Sequence, residues 1–583
     1  LQTLLALRQD PGDLTEELRL RLGATPAEFD DMVTEMITAA ERFGVTVHDG
    51  WAGIFALEEI EDIPGASDIT LGIYAEEEVD VMGRLRGVRR SILGYDYTEK
   101  AICEMLNVES LQGIEPTRLH YYDKHLLPET PLADLVRLFQ LRAPVPRKRV
   151  EHIFSNEDIL LLEKFKILVE REELIWGGVD LFCSGGLLFA TDHRYMIREE
   201  DRLDEDPVMY IGMDSHGLVQ TAPRQACERV LDLCCGSGIQ GLVASRYARH
   251  IVAVDLNPRA VRFARFNAQL NGIANYEVRQ GSLYGALGDE QFDCILANPP
   301  FVPSPEESLK FRDGGASGEN ILREIIQGAW QYLSPEGRLC IVTDLVDVPS
   351  YEMKLKSWLG EVDACGLILT TADRDEILFS VPHCHAPFSQ SLPEYNRELD
   401  RWVENFRKAD LNAVNFGYIL VWKREIPGCD ITIRTIHNPS RPVWKQVAHW
   451  LKQRRLWDGE DAGSFILAPH PGLRILTEEG PSGLNRRCEL CFPDDPFFTS
   501  YEVSPLIADE IRRIALIEPT LSRRRGSTDY AWIENLHRLG ILQLNSSRKG
   551  IEDCRPAGRG DFGHRIEQRA TKTTPTCLSS YLG

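Results

Sequence analysis

The 583-residue chain is 43% hydrophobic and 26% charged, with a formal net charge of −24. At roughly 100–200 residues per domain it holds three or four domains. The acidic balance disfavours a phosphate backbone as partner, and no apolar run reaches the length of a membrane span. The opening LQTLLALRQDPGDL lacks the basic region and cleavage signal of a secretory leader. The 14 cysteines form no regular framework, so reduced thiols and a cytoplasmic location are expected.

Residues 1–98 read as an N-terminal accessory domain. TEELRLRLG and TPAEFDDMVTEMITAAERFG space their apolar residues as helices do, and Thr25 with Glu28 forms a capping-box pattern. GVTVHDGWAGIFAL and ASDITLGIYAEEEVDVMGRLRG carry strand and turn signals instead. Residues 99–200 predict a helical, winged-helix-like domain. TPLADLVRLFQLRAPVPRKRVEHIF gives helix, turn, helix; SNEDILLLEKFKILVEREELIW gives a further helix capped by Ser155; VDLFCSGGLLFATD gives two strands around Gly185-Gly186. On so acidic a chain, packing or substrate gating is favoured over DNA binding for this unit.

From 201 to 425 strands alternate with helices. RVLDLCC, HIVAVD, NYEVRQG, FDCILANPP and RLCIVTDL are the strands, followed by the closing strands DACGLILTTA and NFGYILVWKR. Such alternation predicts an α/β unit with a mostly parallel sheet covered on both faces. Residues 426–545 predict a C-terminal accessory domain with two helices separated by an Arg- and Gly-rich turn. The polar, breaker-rich residues 546–583 predict a disordered tail.

The chemistry concentrates at three strand ends. RVLDLCC runs into GSGIQG, where Gly236, Ser237 and Gly238 let a ligand approach backbone N–H groups at a helix start. Asp232, four residues before Gly236, suits a cofactor bearing a cationic amine. HIVAVD ends at Asp255, placed to accept ribose hydroxyls, with Leu256 next. Ser282 and Leu283 follow the third strand, where an adenine ring would be flanked; Ser282 serves equally as a helix cap. The fourth strand ends in Asn298-Pro299-Pro300-Phe301. Two prolines fix an extended turn and remove two donors. The Asn298 side-chain oxygen and the Pro299 carbonyl can then accept N–H bonds from an amino or amide group, while Phe301 stacks on a planar one. An Asp at 298 is expected to retain more activity than Ala, because it keeps an acceptor oxygen. His383, Cys384 and His385 in PHCHAPF, and Cys488 with Cys491 in CELC, read as ordinary residues rather than metal ligands. His383 and His385 would point the same way on an extended strand.

The stretch from Val230 to Asp344 resembles the class I methyltransferases with an asparagine-proline-proline-aromatic motif. That group includes the release-factor glutamine methyltransferases and the enzymes that methylate exocyclic amines of nucleobases. The resemblance implies a Rossmann-like fold, S-adenosylmethionine as cofactor, and a planar nitrogen as acceptor. It places the cofactor loop on Asp232, Gly236 and Gly238, the ribose-binding acid on Asp255, and acceptor binding on Asn298, Pro299, Pro300 and Phe301; from their positions Ser237, Leu256, Ser282, Leu283 and Asn298 are expected to complete the cofactor site. TAPR at 221–224 sits where related enzymes carry a segment near cofactor and acceptor, which adds Thr221; RDGGASGENILREII resembles their post-motif turn and helix. The motif ends in Phe where several subfamilies carry Tyr, and Ser282 stands where many carry an acid. The expected activity is N-methylation of a small molecule, peptide or protein amide. An RNA or DNA base amine and a non-catalytic cofactor-binding scaffold are the alternatives.

Overall fold

The computed structural model describes residues 76–545 except 195–205, 307–309, 385–391, 425, 437–441, 480–485 and 522–529. The elements expected in residues 1–75, the RRRG turn at 523–526, His385 and the 546–583 tail lie outside the described residues. Helix α1 (Glu76–Gly94) replaces the strand and turn expected in its first half. Met82, Leu85, Val88 and Ile92 are buried at spacings of three and four, a helical period that the intervening charges obscured.

A winged-helix arrangement follows. Helix α2 (Pro131–Phe139) is opened by Thr130, whose hydroxyl accepts from the Ala133 N–H. Strand β1 (Val145–Pro146), a single turn at Arg147–Val150 and helix α3 (Asn156–Lys164) come next. Strands β2 (Leu168–Arg171) and β3 (Leu174–Gly177) complete an antiparallel β1-β3-β2 sheet. The long helix expected after Ser155 therefore stops at Lys164, and ILVEREELIW folds as the wing. Its turn, at Glu172 and Glu173 with φ of 51° and 63°, carries none of the Gly or Asn that marks such turns. The hairpin expected to be the wing, β4 (Asp180–Ser184) with β5 (Leu187–Thr191), forms a separate two-stranded sheet.

The central sheet contains β6 (Cys227–Leu233), β7 (Ala248–Asp255), β8 (Tyr276–Gln280), β9 (Phe292–Ala297), β10 (Leu333–Val346), β11 (Ala364–Arg374), β12 (Val414–Lys423) and β13 (Cys429–Thr435). Their order is β8-β7-β6-β9-β10-β12-β11-β13. Only β12 runs antiparallel to its neighbours; β13 pairs parallel with β11. This eighth strand extends the sheet past the end expected near residue 425. Helices α4 (Met213–Thr221), α5 (Ile239–Ala244) and α6 (Pro258–Asn271) cover one face, where Leu218, Leu242 and Ala264 join Val230, Leu296 and Val342. Helix α7 (Asn320–Tyr332) covers the other, bringing Leu322 and Ile325 onto Leu231, Ile295 and Ile341. Strand order reverses between β6 and β9, so the crevice at their carboxyl ends is where this architecture places ligands.

Two asparagines on α6 tie the β4–β5 hairpin to this core. Asn271 accepts from the Leu188 N–H at 2.9 Å and donates to its carbonyl at 2.7 Å. One turn earlier, fully buried Asn267 does the same at Ala190 (2.8 and 2.9 Å) and also donates to the Ser237 carbonyl at 2.9 Å. Spaced four apart on one helix face, the two amides stand in for a neighbouring strand. Asn267→Ala is expected to cost about 1–3 kcal/mol by stranding buried backbone groups. Chemical denaturation checks this; a change below about 0.5 kcal/mol would show that the amide is dispensable.

Candidate functional site

β6 turns into α5 through a loop in which Gly236 and Gly238 take positive φ, 53° and 87°. A Cβ at Gly238 would meet the Tyr276 hydroxyl at 2.6 Å, whereas one at Gly236 would meet nothing within 4 Å. Gly238 thus packs the loop down and Gly236 leaves its outer face open. Asp255, at the end of β7, accepts from the Gly236 N–H and the Asn257 N–H, each at 2.8 Å. Burial raises its carboxyl above the ordinary value, opposed by those two bonds. Asp232 is wholly buried in β6. One of its oxygens accepts from the Gly241 N–H at 2.8 Å, and among the described residues Oδ1 has no partner. Desolvation pushes this carboxyl up to about 7 against the Gly241 bond. Ser237 is buried, and Leu256 is 63% exposed beside Asp255. Ser282 precedes the 3₁₀ turn Leu283–Ala286 without a side-chain capping bond, and Leu283 takes φ 46°.

At the end of β9, Asn298 is held by α4. Its Nδ2 donates to Asp214 Oδ2 at 2.9 Å and to Ser215 Oγ at 3.2 Å. Both amide hydrogens point at acceptors, so Oδ1 is fixed as the free acceptor. Burial raises Asp214, with the Asn298 bond the largest opposing cause. Asp214 also reverses the expectation for Asn298→Asp, because a carboxylate there would face a second carboxylate in place of a donor.

The turn after Asn298 is zipped onto the post-motif segment. Val302 N–H donates to the Arg312 carbonyl at 2.9 Å, and the Gly314 N–H to the Val302 carbonyl at 3.0 Å. A Cβ at Gly314 would come within 2.9 Å of the Pro300 carbonyl. Phe301 lies 6.4 Å from Phe416 of β12. It also packs against a cluster of Val302, Phe379, Trp402 and Phe406, contributed in part by helices α8 (Glu376–His383) and α9 (Leu392–Lys408). Buried Asp344, at the end of β10, pairs with Arg374. The Arg374 guanidinium lies 5.3 Å from the Phe379 ring, which joins the sheet to this helical cover. Desolvation raises Asp344 to about 6 against that ion pair.

The structure brings Asp232, Gly236, Ser237, Gly238, Asp255 and Asn298 to the carboxyl ends of adjacent strands. Thr221 is not among them. It ends α4 fully buried, about 10 Å along the helix axis from Asp214. The segment after it runs the other way, since the Pro223 carbonyl accepts from Arg338 near the amino end of β10. The α4 residues beside the motif are Asp214 and Ser215. Asp214 and Ser215 meet Asn298, Phe416 meets Phe301 and Asp344 meets Arg374 only through tertiary packing, so none of them carried a sequence signal. His383 ends a helix rather than lying on a strand, with Nδ1 at 2.6 Å from the Phe379 carbonyl and its ring stacked on Trp402. Cys488 and Cys491 sit three apart on one strand, so they face opposite ways. Among the described residues, no three His, Cys, Asp or Glu side chains gather as a metal site.

The strand order, glycine loop and motif define a class I methyltransferase domain, and residues 211–366 match the family described as methyltransferase small domain. The chain is 32% identical over 217 residues to a ribosomal protein uL3 glutamine methyltransferase of Bradyrhizobium diazoefficiens, covering 33% of this chain and 64% of the relative. It is 34% identical over 143 residues to a release factor glutamine methyltransferase of Geobacter sulfurreducens, covering 22% and 50%. A uL3 glutamine methyltransferase of Bordetella pertussis is 32% identical over 201 residues, covering 32% and 67%. The chain therefore belongs to the class I S-adenosylmethionine-dependent methyltransferase family that includes the release-factor and ribosomal-protein glutamine methyltransferases. It spans about half to two thirds of the length of these relatives. Family membership implies S-adenosylmethionine binding. No described helix is long and apolar enough to cross a membrane.

Because Asp232 is raised from 3.8 to about 7 in the folded state, the native chain holds a proton that the unfolded chain releases. Stability therefore falls as pH rises through that window. Asp232→Asn removes this contribution. Its stability relative to the parent should climb by on the order of 2 kcal/mol between pH 4 and pH 7, read as paired denaturation midpoints. A pH-independent difference would show that Asp232 is ionised throughout.

Proposed function

We propose that this chain methylates a side-chain amide nitrogen of a protein, with glutamine as the acceptor residue. The observation that carries the reading is the orientation of Asn298. With its Nδ2 committed to Asp214 and Ser215, Oδ1 is left to accept an N–H of the incoming amide, and the Pro299 carbonyl can take the other. An amide –NH₂ presents two such hydrogens in one plane, and the Phe301 ring suits that plane. The open face at Gly236 and the unpartnered Asp232 Oδ1 fit a cationic nucleoside cofactor. The Gly236-Ser237-Gly238 loop and Asp232 would hold its amino-acid end and Asp255 its ribose. Leu256, Ser282 and Leu283 would flank its adenine. The bound cofactor supplies an electrophilic methyl group. The chain's own contribution is placement and electrostatic support, which lower the barrier without a strong base if the amide proton leaves late.

The winged-helix unit supports a protein rather than a nucleic-acid acceptor. Helix α3, which would enter a groove, carries Glu157, Asp158 and Glu163. Glu157 pairs with Arg84 of α1 at 2.9 Å, and Phe165 packs 5.4 Å from Phe266 of α6. Of the nearby cations, Arg147 and Arg149 pair with Glu151 and Asp134 among other acids, while Lys148, Lys164 and Lys166 are exposed. A helix so charged and so occupied suits packing against the catalytic unit better than reading phosphates.

With labelled cofactor and a protein extract as acceptor, Asn298→Ala should lower turnover by about 10²–10³ and leave cofactor affinity near that of the parent. Asn298→Asp should be no better than Ala at neutral pH and should recover as pH falls, because two adjacent carboxylates must share a proton. Parent-like turnover in the Ala variant, or label recovered in RNA and absent from protein, contradicts the proposal.

A further inference from the structure

At the amino end of the central sheet, opposite the methyl-transfer crevice, lies a cavity of about 130 Å³ lined by Gln225, Arg338, Trp422, Leu451, Lys452 and Arg455. Three of the six lining residues are cations, on a chain of net charge −24. Arg338 is 6% exposed and projects from β10 opposite Trp422 of β12. Its terminal nitrogens donate to Gln225 Oε1 and the Pro223 carbonyl, both at 3.1 Å. Both acceptors are neutral, so among the described residues this buried guanidinium has no carboxylate partner. Lys452 and Arg455 reach the cavity from helix α10 (Trp444–Asp458). Lys452 has no ion pair among the described residues. Arg455 donates to the Glu336 carbonyl at 3.2 Å and pairs with that residue's carboxylate, 87% exposed, at 3.8 Å.

A buried guanidinium without a carboxylate partner is costly. Elsewhere the protein meets this cost with carboxylates: Arg454, one residue before Arg455, pairs with Asp430 at 2.7 Å, and Arg424 pairs with Asp458 at 2.7 Å. The cavity is also roomy, since one water needs only about 10–15 Å³ by the same measure. We propose that this cavity is a binding site for a tetrahedral oxyanion of the phosphate class, held by Arg338, Lys452 and Arg455 and bridging α10 to the central sheet. Guanidinium donors suit such an anion because they match phosphate oxygens in pairs. Arg338 and Asp344 lie six residues apart on β10, about 20 Å, so the site is separate from the methyl-transfer crevice and does not depend on the function proposed above. The anion is either free phosphate or the phosphoryl group of a nucleotide.

Thermal unfolding of the full chain in phosphate, sulfate, AMP or chloride at matched ionic strength tests the site. Phosphate and sulfate should raise the midpoint in a saturable way that chloride does not reproduce. A response to AMP at concentrations at least tenfold lower than phosphate would assign the anion to a nucleotide. Lys452→Gln with Arg455→Gln, both exposed residues outside the methyl-transfer crevice, should weaken the apparent phosphate affinity by about tenfold or more and leave cofactor affinity unchanged. Because Arg338→Met could unfold the chain, the double surface variant is the deciding one. An equal midpoint shift in chloride, or an undiminished phosphate response in the double variant, would overturn the site.

Discussion

The site is organised by one contact, the two hydrogen bonds from Asn298 Nδ2 to Asp214 and Ser215. An amide side chain presents a donor end and an acceptor end of nearly the same shape, and which end faces a ligand is decided by what holds the other. Here the donor end is spent on a buried carboxylate and a hydroxyl at the start of α4. The backbone on the far side is fixed by Pro299 and Pro300 and by the zipper from Val302 to Arg312 and Gly314. The acceptor oxygen is thus preorganised before anything binds, the condition under which a single polar group contributes most to a transition state.

The surrounding fold maintains that geometry. Helix α4 is anchored at its middle and on its flank. Leu218 packs under the sheet, and Gln240 of α5 donates to the Ser215 carbonyl at 2.8 Å. The glycine loop hangs from the same framework through Asn267 and the Ser237 carbonyl. The Asp344–Arg374 pair and the Phe379 cluster carry the cover over Phe301. Several carboxylates here, Asp214, Asp232, Asp255 and Asp344, are raised by burial. Crowding acids at the carboxyl edge costs stability in the empty protein and suits a crevice that receives a cationic ligand.

Local chemistry was legible in the sequence wherever one short segment held both the cause and the effect. The strand-to-loop passage at Asp232–Gly238, the acid closing β7 and the proline pair closing β9 each state their geometry within ten residues, and the structure sets them on adjacent strands. The hairpin at Gly185-Gly186 was legible for the same reason. The wing at Glu172-Glu173 was not, because its turn uses residues with no turn preference and its flanks read as amphipathic helix. Strand β13 was missed because it joins the sheet only by pairing with β11. Asp214 was not legible because nothing in GMDSHG announces a partner 84 residues away, and Thr221, at the other end of the same helix, is buried by the fold.

If the clamped Asn298 selects an amide nitrogen, tandem mass spectrometry of the methylated product shows it. After incubation of the purified chain with labelled S-adenosylmethionine and a protein extract, a single added methyl group is expected on the side-chain nitrogen of a glutamine, absent from the Asn298→Ala reaction. A methyl group on a carboxylate oxygen, on carbon or on a nucleobase amine would contradict that selection.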